Sequence, residues 1–350
     1  MTVFLRLLEE QDKEALLRRA ASGYAPTARF EVPISEFRGL PRSPFAYWLS
    51  QDLRTKFDDL GQLGTDEVVA KQGLATGDNF RHVRLWWEVQ PGRDEIWSPF
   101  ANGGRLSPIY QDLIQVVGYD RGHQESLKVT GRFGRGADFY GRPGLTWAVR
   151  SRRFAPSLLS SGAIFSHRGY CLFAPRDELF ALCGMLNGAP VDFLLKVLLG
   201  RFSFPEFLVG AVPLLPMPDV TMSMKGQFAS LARSGWSAYR SLDTTVEVSH
   251  AFVMPALLNI PGAGFGDRCS AWSAQVVEVK AGLDRVQAEI DELCFDLYGI
   301  SEEDRRSIVD GFGVAVGGED DSVGADVDVD DLEDEVGFDL VGSQRTVTFA

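Results

Sequence analysis

Residues able to do chemistry crowd into two stretches of this sequence. The first runs Lys71-Gln72-Gly73-Leu74-Ala75-Thr76-Gly77-Asp78-Asn79-Phe80-Arg81 and continues into Arg84-Leu85-Trp86-Trp87-Glu88-Val89. Gly77 permits a positive φ there, and Asp78 and Asn79 can close a tight turn with their own side chains. Such a turn holds amides and backbone N–H groups outward, where phosphates or base edges are met; it serves equally well as a purely structural turn. The second stretch interleaves Lys128, Arg132, Arg135, Arg142, Arg150, Arg152 and Arg153 with Phe133, Tyr140, Trp147, Phe154 and several glycines. Guanidiniums among aromatics suit phosphate clamping and bidentate contact with guanine, and they also make an ordinary solvated edge. The candidate DNA-contacting residues are therefore Lys71, Thr76, Asp78, Asn79, Arg81, Lys128, Arg132, Arg135, Arg142, Arg150, Arg152 and Arg153.

Patterns for catalysis are missing. No Pro-Pro pair occurs, so the (Asn/Asp/Ser)-Pro-Pro-aromatic loop that grips a flipped adenine is absent. Ser43-Pro44-Phe45 and Ser98-Pro99-Phe100 lack the second proline and read as turns. Gly311-Phe312-Gly313-Val314 precedes an acidic run and reads as a linker rather than a nucleotide loop. Neither GxxxxGK[ST] nor GxSxG occurs, Pro218-Asp219 lacks an ExK partner, and Glu278-Val279-Lys280 falls inside an expected helix. Cys171, Cys183, Cys269 and Cys294 show no CxxC spacing and read as buried free thiols. His82, His123, His167 and His250 form no ligand pattern, so no catalytic, metal or cofactor residue is assigned.

The elements around these residues predict an α+β fold. Residues 3–21 carry an amphipathic helical pattern that Gly23 stops. From residue 68 to 218, short β-branched and aromatic runs alternate with glycine-rich turns, which predicts a mainly β module with inserted helices. Expected strands lie at 83–89, 114–118, 145–149, 163–165 and 171–173. Residues 177–199 predict two packed helices broken at Asn187-Gly188-Ala189-Pro190. Residues 222–242 and 273–298 predict helices, with Gly299 placed as a C-terminal cap.

At 350 residues, with 45% hydrophobic and 11% aromatic content, the chain has material for a sizeable core. No apolar run reaches the roughly 18 residues of a membrane span, so a soluble cytoplasmic protein is expected. The net charge of −13 argues superficially against nucleic acid. Its distribution reverses that: eleven acids and no base lie between Glu319 and Asp339, whereas ten Lys or Arg face only Glu125 and Asp138 between Arg121 and Arg176. The acidic run is expected to be disordered.

Several segments in order resemble the target-recognition region of large adenine-specific DNA methyltransferases of the BREX and phage-growth-limitation (PglX-like) type. They are Pro44-Phe45-Ala46-Tyr47-Trp48, Gly73 to Asn79, Trp86-Trp87-Glu88-Val89, Trp97-Ser98-Pro99-Phe100-Ala101-Asn102-Gly103-Gly104, Arg142 to Trp147, Gly162 to Phe165, Gly210 to Pro218 and Phe295 to Ile300. Asn102 stands where that family usually has lysine. The resemblance implies sequence-specific binding of double-stranded DNA as part of S-adenosylmethionine-dependent methylation of adenine N6 in a phage-defence or restriction-modification system. It further implies that the methyl donor binds a catalytic domain or subunit outside this chain, which is expected to be a C-terminal fragment or half of a split gene. The implied organisation is a connector helix at 1–24, a target-recognition domain at 25–220, a helical segment at 221–310 and an acidic flexible tail at 311–350. The alternative is a non-enzymatic interaction subunit that binds other proteins of a defence complex.

Overall fold

A computed structural model describes residues 2–310 apart from 8–11, 26, 27, 38, 39, 42, 43, 91, 93, 94, 105, 134, 135 and 203. Arg135, the Gly311-Phe312-Gly313-Val314 stretch and the acidic run lie outside the described residues. The fold is α+β. At its start β1 (Thr2–Leu5) pairs antiparallel with β2 (Arg29–Val32), and α1 (Lys13–Ala21) falls between them in sequence. The single helix expected over 3–21 is thus corrected to a strand and a shorter helix. Val3-Phe4-Leu5 take a distant strand partner, and Phe4 stacks on Tyr47 with centroids 4.7 Å apart. The helix begins only where Asp12 accepts the Ala15 N–H at 3.0 Å, which satisfies one of its orphan donors.

Two four-stranded sheets follow α2 (Gln51–Asp59) and the short β3 (Gly61–Gln62). The first has the order β4-β11-β8-β9, built from β4 (Val69–Lys71), β8 (Gly144–Ala148), β9 (Ser157–Leu159) and β11 (Gly169–Phe173), all antiparallel. The second has the order β10-β6-β7-β5, from β5 (Val83–Leu85), β6 (Trp97–Ala101), β7 (Gln115–Gly118) and β10 (Ile164–Phe165). Its β10–β6 pair is parallel and the others antiparallel. Two single elements sit beside it, the one-turn α3 (Asn79–His82) and α4 (Arg121–Thr130).

Two local expectations change here. The strand expected across 83–89 stops at Leu85, and Trp86–Glu88 forms a 3-10 turn. The Trp86 N–H still donates to the Ile114 carbonyl at 2.9 Å, but Glu88 accepts the Leu85 N–H at 2.9 Å and the Trp86 indole donates to the Val248 carbonyl at 2.8 Å, which hold the turn that ends the strand. Ser98-Pro99-Phe100 is no turn but the middle of β6. β10 pairs only with Phe100 and Ala101, so the missing N–H of Pro99 leaves no ladder bond unmade.

The helices pack on the other face of the first sheet. α5 (Leu179–Leu186) and α6 (Ala189–Leu199) are apolar on nearly every side and are correspondingly buried in the main core. After β12 (Pro216–Met217), which pairs with β3, come α7 (Met222–Asp243), α8 (Ala256–Asn259), α9 (Phe265–Tyr298) and α10 (Glu302–Val309). Glycines let these helices approach closely: a methyl added at Gly184 would lie 2.6 Å from the Phe228 carbonyl, and one at Gly188 2.3 Å from the Cys294 sulfur. α9 starts eight residues before the expected position, because Asp267 accepts the Gly264 N–H at 3.1 Å and nucleates an earlier turn. It ends at Gly299 in the left-handed region, φ 57°. Cys171, Cys183 and Cys294 are buried, which pushes their thiols up, while Cys269 is only half-buried. Among the described residues no single helix is long and apolar enough to cross a membrane. The α5–α6 pair reaches that length only with a 72° bend, and it lies inside the core.

Candidate nucleic-acid interface

The segment from Gln72 to Thr76 joins the two sheets. On one side the Gly73 N–H donates to Ser166 (3.2 Å), the Leu74 N–H to Phe165 (2.9 Å), and the His167 N–H back to Leu74 (3.0 Å). On the other, Ala75 and Arg132 exchange both backbone bonds at 2.9 and 2.7 Å, and the Gly136 N–H donates to Gln72 at 3.1 Å. Leu74 is fully buried between these partners. The glycines allow the approach: a methyl at Gly73 would lie 1.9 Å from the Phe165 carbonyl oxygen, and one at Gly131 2.5 Å from that of Ala75.

The Thr76–Asn79 turn closes on itself. Gly77 has φ 67°, and a methyl there would lie 1.7 Å from the Thr130 carbonyl oxygen at the end of α4. Thr76 is buried; its hydroxyl donates to Asn79 Oδ1, and its carbonyl accepts from Thr130 Oγ1 at 3.3 Å. Asp78 caps α3 by accepting the Arg81 N–H at 3.0 Å. The side chains of Thr76, Asp78 and Asn79 are therefore engaged in holding the turn, which makes it a frame for its neighbours.

His82 supports this frame from below. It is fully buried, its Nε2 lies 3.4 Å from both Ser126 and Thr130 hydroxyls on α4, and its Nδ1 has no partner. Burial first, then the His123 charge, hold its pKa below 6.5. His123 in turn donates to Asp120 at 2.5 Å, and that hydrogen bond keeps the Asp120 carboxyl below its ordinary value.

Cations border the frame. Arg81 is exposed on α3, and Arg132 is exposed while its backbone pairs with Ala75. Lys128 is exposed on α4, paired with Glu125 at 2.7 Å. Lys128 stands in the last turn of α4, a helix in which Asp120 accepts the His123 N–H at 3.0 Å as its cap. Lys71 and Arg142 both lie over the Phe139 ring, at 5.1 and 4.8 Å from its centroid. Phe139 itself packs on Phe173 at 4.8 Å. The face of the ring holds the Lys71 ammonium and the Arg142 guanidinium themselves.

The remaining arginines lie elsewhere. Arg150 and Arg142 flank opposite ends of β8, a strand about 13 Å long at roughly 3.3 Å per residue. Arg150 forms an ion pair with Glu206, and Arg153 donates to Gln287 of α9 at 2.8 Å; Arg152 is exposed. Two residues that spacing did not single out stand beside the turn. Phe80 is 72% exposed, and the Arg84 guanidinium sits 5.8 Å from its ring and 5.9 Å from that of Trp97. The four-residue step from Phe80 to Arg84 was the available signal. Among the described residues no group of three or more His, Cys, Asp or Glu is placed to hold a metal ion.

No family model matches the chain. Comparison with known proteins finds 25% identity over 308 residues to the adenine-specific methyltransferase PglX of Lacticaseibacillus casei (strain Zhang), covering 80% of this chain. The adenine-specific methyltransferase BrxX of Escherichia coli O9:H4 (strain HS) is 25% identical over 228 residues, 61% of this chain. The chain is similar to PglX/BrxX-type adenine-specific methyltransferases. The matched regions span 24% and 18% of those two proteins. A crevice lined by Leu106, Gln111, Trp147 and Ser157 has space for about one water molecule.

Proposed function

We propose that this chain is the DNA-reading part of an adenine-N6 methyltransferase of a phage-defence system, and that it does not transfer methyl groups by itself. The observation that carries this reading is the framed turn and the cations held near it: Arg81 and Arg132 are exposed beside it, Lys128 is exposed on α4, and Lys71 and Arg142 are held over the Phe139 ring. Cations held at fixed positions on a hydrogen-bonded hub neutralise phosphates and set register on a duplex. Similarity to PglX and BrxX supports a methyltransferase-related role, and the absent Pro-Pro loop is why the methyl transfer is assigned to a catalytic domain or subunit with which this chain acts. Arg150 and Arg153, tied to Glu206 and Gln287, contribute more to the join between sheet and helices than to phosphate contact.

Salt titration of duplex binding tests the reading. Each phosphate neutralised contributes a slope of about −0.9 in log K against log[salt], so five contacts give about −4.5. Reversal of Arg81 or Arg132 to Glu then lowers the slope by about one contact each, while Arg153→Glu moves it much less. Salt-independent affinity, or none, would sink the proposal. A second reading, a protein-binding subunit of a defence complex, is favoured by the exposed Val253 and Leu258 between α7 and α9 and Phe265 at the start of α9. Co-purification that survives nuclease treatment, with no DNA affinity, would select it.

A further inference from the structure

Phe80 is the most exposed aromatic ring beside the Thr76–Asn79 frame, at 72%. An aromatic left in water on a mobile loop would mean little, but this one is fixed from several directions. Its backbone belongs to α3, which Asp78 caps and His82 anchors against α4. Its ring is backed by Arg84, whose Nη1 donates to the carbonyls of both Phe80 and Val83, the latter at 2.7 Å. Arg84 is also steadied by Trp97, which packs on His123 at 5.3 Å. The acids nearby are committed elsewhere: Asp78 to the Arg81 N–H, Glu88 to the Leu85 N–H and Asp120 to His123. Arg81 follows directly in sequence and is exposed.

We infer that Phe80 is a stacking platform for an unpaired nucleobase, with Arg84 as its backing and Arg81 as the cation for the adjoining phosphate. This rests on the DNA-reading function proposed above and deepens it. Every base has a π face, so an aromatic ring beside guanidiniums accepts a base without selecting its hydrogen-bond edge. The exposed Arg81 guanidinium favours a nucleic acid strand over an apolar protein surface, which would leave it to be desolvated without a partner. A fixed ring also loses little freedom on binding, which distinguishes it from a flexible surface side chain. Within a duplex, such a ring serves a base that has left the stack, and a mismatch lowers the cost of leaving.

Three probes of one sequence separate the possibilities: a fully paired short duplex, the same duplex with a central mismatch, and the single strand. Affinities are read by anisotropy for the wild type, Phe80→Ala, Phe80→Trp and Arg81→Glu. The wild type is expected to bind the mismatched duplex more tightly than the paired one. Phe80→Ala should weaken the mismatched and single-stranded probes about fivefold or more while leaving the paired duplex near its original affinity. Phe80→Trp should retain both, and Arg81→Glu should weaken all three. A loss confined to the single strand assigns the platform to single-stranded DNA, and a loss on the mismatch alone to an extruded base. Because Phe80 is exposed, an unchanged urea midpoint confirms that its alanine variant is folded. Equal affinities for wild type and Phe80→Ala on all three probes overturn the platform while the DNA-reading function stands. Absence of any DNA binding overturns both. A Phe80→Ala defect seen only in capture of a protein partner overturns the platform in favour of protein docking.

Discussion

Gly77→Ala is the sharpest test of the idea that the Thr76–Asn79 turn is a frame. Two costs arise at that position. Alanine in the left-handed region costs about 1 kcal/mol. The added methyl would also stand 1.7 Å from the Thr130 carbonyl oxygen, where ordinary contact begins near 3.4 Å. The turn and the end of α4 must therefore part by well over 1 Å. That motion breaks the Thr130–Thr76 hydrogen bond and strains the paired Ala75–Arg132 bonds. At about 1 kcal/mol for each bond lost, the sum is about 3–4 kcal/mol. Gly162→Ala isolates the first cost, because Gly162 has φ 87° and nothing within 4 Å of an added methyl.

Urea unfolding followed by tryptophan fluorescence gives the global figure, and amide exchange at Ala75 and Arg132 gives the local one. The expected result is a loss of about 1 kcal/mol for Gly162→Ala and about 3–4 kcal/mol for Gly77→Ala, with exchange accelerated at both amides. DNA affinity should fall with it, since Arg132 is carried by one of the strained pairs. If the two variants lose the same stability, the turn does not bear on α4, and the frame argument fails.

Gly184→Ala should destabilise by about 1–3 kcal/mol by forcing α5 from the Phe228 carbonyl, although alanine is the better helix former; a stabilised variant would show that the two helices are not in close contact. His82 makes a pH prediction. Burial holds its pKa below 6.5 in the folded state, so the unfolded chain takes up the proton first. Its contribution is complete above 6.5 and is lost as pH falls from 6.5 toward the lowered value. His82→Leu should flatten that part of the stability-against-pH curve relative to wild type, and parallel curves would refute the assignment. Asp291 accepts the Ala189 N–H at 2.8 Å at the start of α6, so Asp291→Ala should cost about 1–2 kcal/mol in urea unfolding.

Local signals in the sequence located much of this fold. The break at Asn187-Gly188-Ala189-Pro190, the cap at Gly299 and the helix over 222–242 depend on neighbours within one or two turns, and each was legible. The failures share a different cause. Val3-Phe4-Leu5 carry a pattern that a helix could use, and only a strand from Arg29–Val32 decides against it. The turn at Trp86 is held by its indole on the Val248 carbonyl, a contact between residues far apart in sequence. At the candidate site, composition identified the arginines but not their neighbours. Arg142 on Phe139 and Arg150 on Glu206 look alike in sequence and sit in different company. The capping power of Asp78 and Asn79 was visible, whereas the side of the turn packed against Thr130 was not.

The distinction between a reading turn and a framing turn matters for specificity. A turn whose amide and carboxylate reached out to bases would have to hold them by its own backbone, with little to resist rotation. Here Asn79 accepts from the buried Thr76 hydroxyl and Asp78 caps α3, and the longer reach into solvent is left to side chains around the rim. Lysine and arginine on such a rim gain position from what holds them: a ring under the charged ends of Lys71 and Arg142, a backbone pair behind Arg132, a capped turn beneath Arg81. Charge reversal at the rim therefore removes one phosphate contact at a time, whereas a methyl at the frame displaces several together. Non-additivity between Gly77→Ala and Arg132→Glu in DNA affinity follows directly, because the first variant already moves the side chain that the second one changes.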